Sequence, residues 1–417
     1  MSPDRFNGPP ALVVGLERNG LGVSRALAQC GIDCVGICGT RRLPEWSTHS
    51  CVVHGVREWS ANGLVETMLS VSKEYGEPLP VLITKDQPVV WLSHWRDSLK
   101  DAFLLDLPST DVVDLLMSKR AFELAAQSMG LPTPQTISIE SAQDLDEKIG
   151  LITYPAILKP QVKNDEFRAH TRQKAYRIQG ESALRAAYAE VAQWEPEVIV
   201  QEWVSGPDAN VAFCLGHAGE AGRFYFAGRK LLQYPVGCGN TALCEPAPSE
   251  WEAELTTLTD RLWQHTDYRG LGSLECKFDD VRRRFVIMEP TVGRTNFQNE
   301  LAVLNGVNLP AIAYFSSLGA WDRVDELVGR DARRPIRLSN WAAERRSAVE
   351  SIRSGHLRVS EWLRMHRGPS RTMLLRRGDL MPFVAFVAMS VVAKARGLAR
   401  RITRLAGRCR RRGSPAQ

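Results

Sequence analysis

A chain of 417 residues, 44% apolar and 24% charged, can bury two or three cores, and its composition excludes a disordered or fibrous protein. The net charge of +6 comes from one end: residues 381–417 carry nine Lys and Arg and no acid, and subtracting these leaves −3 for the remainder. A slightly acidic body gives no ground for nucleic-acid binding.

In chain order, the polar start "MSPDRFNGPP" lacks the apolar core of a secretory signal. "ALVVGLERNGLGVSRALAQCGIDCVGI" predicts strand, glycine turn, helix and strand, a βαβ opening. The spacing of Gly15, Gly20 and Gly22 matches neither a dinucleotide fingerprint nor a phosphate-binding P-loop, leaving a tight connection or an anion at the helix N-terminus. The nine cysteines are scattered, which fits a reducing, cytoplasmic setting. Cys30, Cys34 and Cys38 span a helix end, a turn and a strand, so their thiols are not expected to converge on a metal. A helix over 61–75, a strand over 81–84 and a helix after Asp86 complete an α/β region, with a first domain expected over 1–115.

"STDVVDLLMSKRAFELAAQSMG" has helical periodicity and is stopped by Gly130, Pro132 and Pro134. "YPAILKP" is a buried strand carrying Lys159, a cation costly there unless an anion meets it. A connection rich in Lys163, Arg168, His170, Arg172 and Lys174 follows. After it come a strand at 176–178, a helix over 181–193, the strand "EVIVQEWV", a hairpin, and a helix over 251–265. Two further strands, "GSLECKFDD" and "FVIMEP", set Glu275 and Glu289 to face one another, and the next loop adds Arg294, Asn296 and Asn299. Separated cations and a pair of carboxylates are what a polyphosphate and its Mg²⁺ require.

These ordered landmarks, over roughly Ala11 to Gly319, resemble the ATP-grasp superfamily, in its carboxylate–amine ligase branch similar to D-aspartate ligase-like proteins. The resemblance implies an α/β chain: an N-terminal βαβ lobe over 1–115, then a two-lobed α+β ATP-grasp domain over 116–319 (central lobe about 130–200, C-terminal lobe about 201–319); beyond it, where the resemblance stops, a helical extension with an apolar-basic tail is expected over 320–417. The resemblance implies Lys119 and Lys159 as nucleotide-binding lysines, and Glu202, Trp203 and Val204 along the adenine edge. Asp208 would take the ribose, Glu275 and Glu289 the magnesium. Lys230 and Arg294 would be the catalytic cations, Arg294 beside the reacting phosphate. Two features depart from the family pattern: Thr291 stands where a metal-binding Asn is usual, with Asn296 too far along to replace it without a different loop path, and the basic connection lacks the usual glycines.

The implied activity is an ATP- and Mg²⁺-dependent ligation of small-molecule carboxylate and amine substrates. The same scaffold also accommodates a non-catalytic nucleotide-binding or membrane-adaptor protein, or a phosphoryl transfer that stops at phosphate. Beyond residue 319 a polar helical stretch leads to an apolar run of about thirteen residues, short of the ~20 that span a bilayer, joined to the basic tail. Peripheral contact with anionic lipid and a packed terminal helix are both compatible with it.

Overall fold

The computed structural model describes residues 5–39, 43–160, 170, 175–237, 239–328 and 335–392. Three sheets organise the described residues. In the first, β1 (Ala11–Val14), β2 (Cys34–Cys38), β3 (Val52–Gly55), β4 (Leu79–Ile83) and β5 (Phe103–Leu105) pair in parallel in the order β3-β2-β1-β4-β5. β1, β2 and β4 are buried throughout, as a parallel sheet covered by helices requires. Helices α1 (Arg18–Ala28), α2 (Ala61–Ser72), α3 (Asp86–His94) and α4 (Arg96–Leu99) connect the strands. The glycine turn after β1 is a tight connection: Gly15 has φ +95°, and a Cβ on Gly20 would lie 2.3 Å from the Gly15 carbonyl oxygen.

The periodic stretch after Pro108 is two helices rather than one, α5 (Thr110–Met117) and α6 (Lys119–Ser128). Ser118 turns extended, with ψ 115°, and its Oγ accepts the Ala121 N–H at 3.3 Å, capping α6 so that Lys119 becomes its first residue. The central lobe is an antiparallel sheet of β6 (Thr136–Ile139), β7 (Ala156–Pro160), β8 (Tyr176–Ile178) and β9 (Val198–Glu202), ordered β6-β9-β7-β8. α7 (Ala142–Lys148) and α8 (Glu181–Val191) pack on it, and Leu158, Ile178, Leu184, Val198 and Val200 belong to a core of its own.

The third sheet holds seven strands: β10 (Val211–Gly219), β11 (Gly222–Tyr234), β12 (Asn240–Pro246), β13 (Gly270–Asp279), β14 (Arg284–Val292), β15 (Arg337–Ser339) and β16 (Ser370–Thr372), ordered β14-β13-β10-β11-β12-β15-β16. Its helices are α9 (Ser249–His265), α10 (Asn299–Leu304), α11 (Leu309–Ser317), α12 (Trp321–Val328), α13 (Trp341–Arg353) and α14 (Val359–Met365). The segment after 319, expected to be purely helical, therefore also extends this sheet with β15 and β16. Strands of three residues are too short to show a two-residue period.

The N-terminal sheet shares its core with the seven-stranded one: Val89, Leu92 and Leu107 cluster with Leu274, Ile287 and Val292. At the seam Gly293 has φ +65°, and a Cβ there would fall 2.6 Å from Leu107 and 2.9 Å from Val89. The C-terminal segment locks the same seam. Arg25 of α1 donates through Nε to Asp379 (2.8 Å) and through Nη1 to the Met373 carbonyl (2.7 Å), while Thr48 donates to the same carboxylate at 2.7 Å. Both charged groups of this pair are buried.

Candidate active site

A cleft of about 570 Å³ lies between the central lobe and the seven-stranded sheet, with α3 of the N-terminal lobe at its margin. Eight of the predicted residues line it: Lys119, Lys159, Trp203, Val204, Lys230, Glu275, Glu289 and Arg294. The other two, Glu202 and Asp208, are not among its lining residues.

Glu275 and Glu289 are direct cross-strand partners on β13 and β14. The next pair in register is Cys276 with Ile287, so Met288 is an extra residue, a bulge that redirects the end of β14. Like charges directly opposed on a sheet are destabilising, and the arrangement calls for a cation. Lys230, itself only 3% exposed, supplies one to Glu275, with Nζ to Oε2 2.8 Å. Glu289 is open to the cleft. Surrounding protein, and next the Glu275 charge, raise its carboxyl above the ordinary value against the pull of Lys159, Lys119 and Lys230.

Two carboxylates on rigid strands, one already balanced by a lysine and one open to the cleft, fit Mg²⁺, which takes one or two protein carboxylates and completes its shell with water and phosphate oxygens. Among the described residues there is no cluster of three or more acidic, His or Cys ligands that would form an all-protein metal cage.

Lys119 sits exposed at the first position of α6, where the helix dipole disfavours a cation unless an anion joins it. Lys159 donates to Gln201 Oε1 at 2.9 Å, and Gln201 Nε2 donates to Thr136 Oγ1 at 3.0 Å. Strand alternation in β9 puts Ile199 and Gln201 on the cleft and Val198 and Val200 in the lobe's core. Glu202 consequently turns away from the cleft, pairs with Arg282 and accepts the Gln135 N–H at 3.3 Å. Gln201 was missed from the sequence, although the period of two in "VIVQE" carried the signal.

Trp203 lies within reach of two cations, with Arg177 Cζ 4.4 Å and Lys277 Nζ 4.8 Å from its ring centroid. Lys277 also lines the cleft and escaped the sequence reading, though it lies two residues beyond Glu275 on β13. Burial first holds its ammonium below the ordinary lysine value, with Asp208 opposing and Arg177 adding to the shift. Asp208 accepts from Gln233 Nε2 (2.8 Å) and from the Gly237 N–H (3.1 Å), fastening the end of the hinge to the turn after β11.

Arg294 is held from both sides of the seam. Its Nε donates to Asp86 at 2.8 Å and its Nη1 to Asn296 Oδ1 at 2.6 Å, while Asn296 Nδ2 donates to Thr291 Oγ1 at 3.3 Å. The loop thus takes the path that brings Asn296 back to Thr291. Asp86, from the first turn of α3, is a cleft residue that no spacing argument along one strand could have paired with Arg294. Asn299 opens α10 and is 1% exposed. Of the basic connection, Lys163, Arg168, Arg172 and Lys174 lie outside the described residues, and His170 stacks on Trp194 with centroids 4.8 Å apart.

This architecture recurs in solved structures. N5-carboxyaminoimidazole synthetase from Staphylococcus aureus complexed with ADP superposes with a TM-score of 0.59 over 76% of this chain and 79% of that one, at 12% identity. L-amino acid ligase from Bacillus licheniformis gives 0.58 over 75% of each chain at 10% identity. The chain has the ATP-grasp fold. In sequence it is similar to D-alanine–D-alanine ligases, 27% identical over 193 residues to those of Ectopseudomonas mendocina and Pseudomonas entomophila. That stretch is 44% of this chain, and it spans only a little over half of those relatives, 56% and 55%. No family model matches the chain.

Proposed function

We propose that this ATP-grasp protein is an ATP-dependent ligase that joins a carboxylate to an amine. The observation that carries the reading is the opposed Glu275–Glu289 pair in a cleft whose other charged lining includes Lys119, Lys159, Lys230 and Arg294. Glu275 and Glu289 would hold Mg²⁺, which when bound neutralises phosphate charge. Lys119 and Lys159 would take phosphate oxygens, and Trp203, Val204 and Gln201 would border the base, with Asp208 bracing the hinge beside the ribose.

The substrate carboxylate oxygen attacks the γ-phosphorus, the bond to the β–γ bridging oxygen breaks, and ADP leaves. The amine nitrogen then attacks the carbonyl carbon of the acyl phosphate, phosphate departs with the C–O bonding pair, and the nitrogen loses a proton. Arg294, fixed by Asp86 and Asn296, would offset charge as each phosphate oxygen develops it. D-Alanine is one substrate to try, because the similar ligases carry it in their names. The same reading sets the protein in the cytoplasm, with a peripheral hold on an anionic surface through its basic C-terminal sequence.

The test is ADP release screened across paired carboxylates and amines, with calorimetry of ATP binding beside it. Amine-dependent ADP release, and ATP binding weakened at least about tenfold by Lys159→Ala, are expected. ATP affinity unchanged in a folded Lys159→Ala protein would refute the nucleotide assignment. Nucleotide binding with no turnover on any pair would refute the ligase.

A further inference from the structure

The helix over 381–392, "MPFVAFVAMSVV", carries no charged residue. Its root is fixed, because Asp379 is clasped by Arg25, Thr48 and the His49 N–H, and Pro382 is buried against the body. Phe383 and Phe386 lie half-buried on the protein side. The other side is open: Met381, Val384, Val387, Ala388 and Val391 recur at helical spacing and are all exposed, Val384 at 52% and Val391 at 60%. An apolar stripe held out into water by a rigid root demands a partner.

We infer that this helix docks on the surface of an anionic lipid bilayer, its exposed stripe entering the headgroup–acyl boundary while the basic sequence after it meets the lipid phosphates. None of the helices among the described residues is long and apolar enough to cross a membrane.

Charge selects this occupant over the others. The sequence following the helix holds nine Lys and Arg without one acid. A second copy docking stripe to stripe would bring two such sequences together, against their own repulsion. Nucleic acid would satisfy the cations but leave the apolar stripe in water. An anionic bilayer satisfies both at once.

Full-length protein is sedimented with phosphatidylcholine vesicles containing about a third phosphatidylglycerol, and with phosphatidylcholine alone. Binding to the anionic vesicles should exceed that to the neutral ones by about tenfold or more and fall progressively as salt is added. The double variant Val384→Glu/Val387→Glu changes only exposed side chains. It should melt as the parent does and lose about tenfold in vesicle binding. A chain ending at Val392, keeping the helix and its root but not the cations, should lose binding as well. Four results would overturn the inference: undiminished vesicle binding by the double variant; binding indifferent to lipid charge; vesicles ignored while the variant dissolves a self-associated form; or vesicles ignored while an RNA homopolymer retains the protein.

Discussion

Replacing Glu289 by Gln should change the stability of this protein in opposite directions with and without nucleotide. In the ligand-free protein Glu289 faces Glu275 across the sheet, while Lys230 pairs with Glu275 at 2.8 Å. The substitution removes one of two opposed charges and keeps the shape, so it should stabilise the ligand-free protein by up to about 1 kcal/mol. For a chain of this length that is a rise in Tm of about 1–2 °C. With MgATP at a hundred times its Kd the parent should gain about 2.7 kcal/mol. The variant, lacking one of the two carboxylates proposed for the metal, should bind at least about tenfold more weakly, which removes about 1.4 kcal/mol of that gain. Scanning calorimetry of both proteins with EDTA and with MgATP reads all four values, and the order of melting should invert between the two conditions. A Glu289→Gln protein that melts lower without ligand and keeps the full MgATP shift would mean that the opposed acids are not the metal site.

Asp379→Ala should cost about 3 kcal/mol in denaturant unfolding, because it strands the buried Arg25 guanidinium with carbonyl partners alone; a loss below ~1 kcal/mol would show that the clasp does not hold the seam. Burial acts to raise the Asp379 carboxyl, but hydrogen bonds from Thr48, Arg25 and His49 leave it below the usual range. Its contribution is therefore complete above the unfolded carboxylate value and lost as pH falls through the lower folded one, and Asp379→Asn should flatten that acid limb of a stability–pH curve. Arg294→Ala should lower kcat with little change in ATP affinity, and Asp86→Ala, which frees the guanidinium from the N-terminal lobe, should lower kcat by a smaller factor; equal losses in ATP binding would make Arg294 a phosphate anchor.

The sequence by itself determined the element types as far as residue 319 and the two acids and four of the cations of the cleft, but not Lys277 or Asp86. The strand-like run "GSLECKFDD" and the unbroken apolar run of "FVIMEP" put Glu275 and Glu289 on strands, the apolar frame of "PAILKP" marked Lys159 as a cation needing an anion, and strand, glycine turn, helix and strand announced a βαβ opening. These are local signals, set by side-chain period and by the cost of an unpaired charge. Tertiary structure decided which of those residues meet. The packing of the N-terminal lobe on Gly293 carried Asp86 to Arg294 across 208 positions, whereas the turn of Gln201 rather than Glu202 to the cleft and the Ser118 cap that starts a helix at Lys119 were local signals left unread. Two three-residue strands joined the large sheet, and Asp379 reached back to Arg25, neither foreshadowed by any spacing. The reason is that ion pairs and edge strands depend on how separate cores dock, and docking is specified by surfaces assembled from the whole chain, whereas periodicity records only which face of a single element is dry.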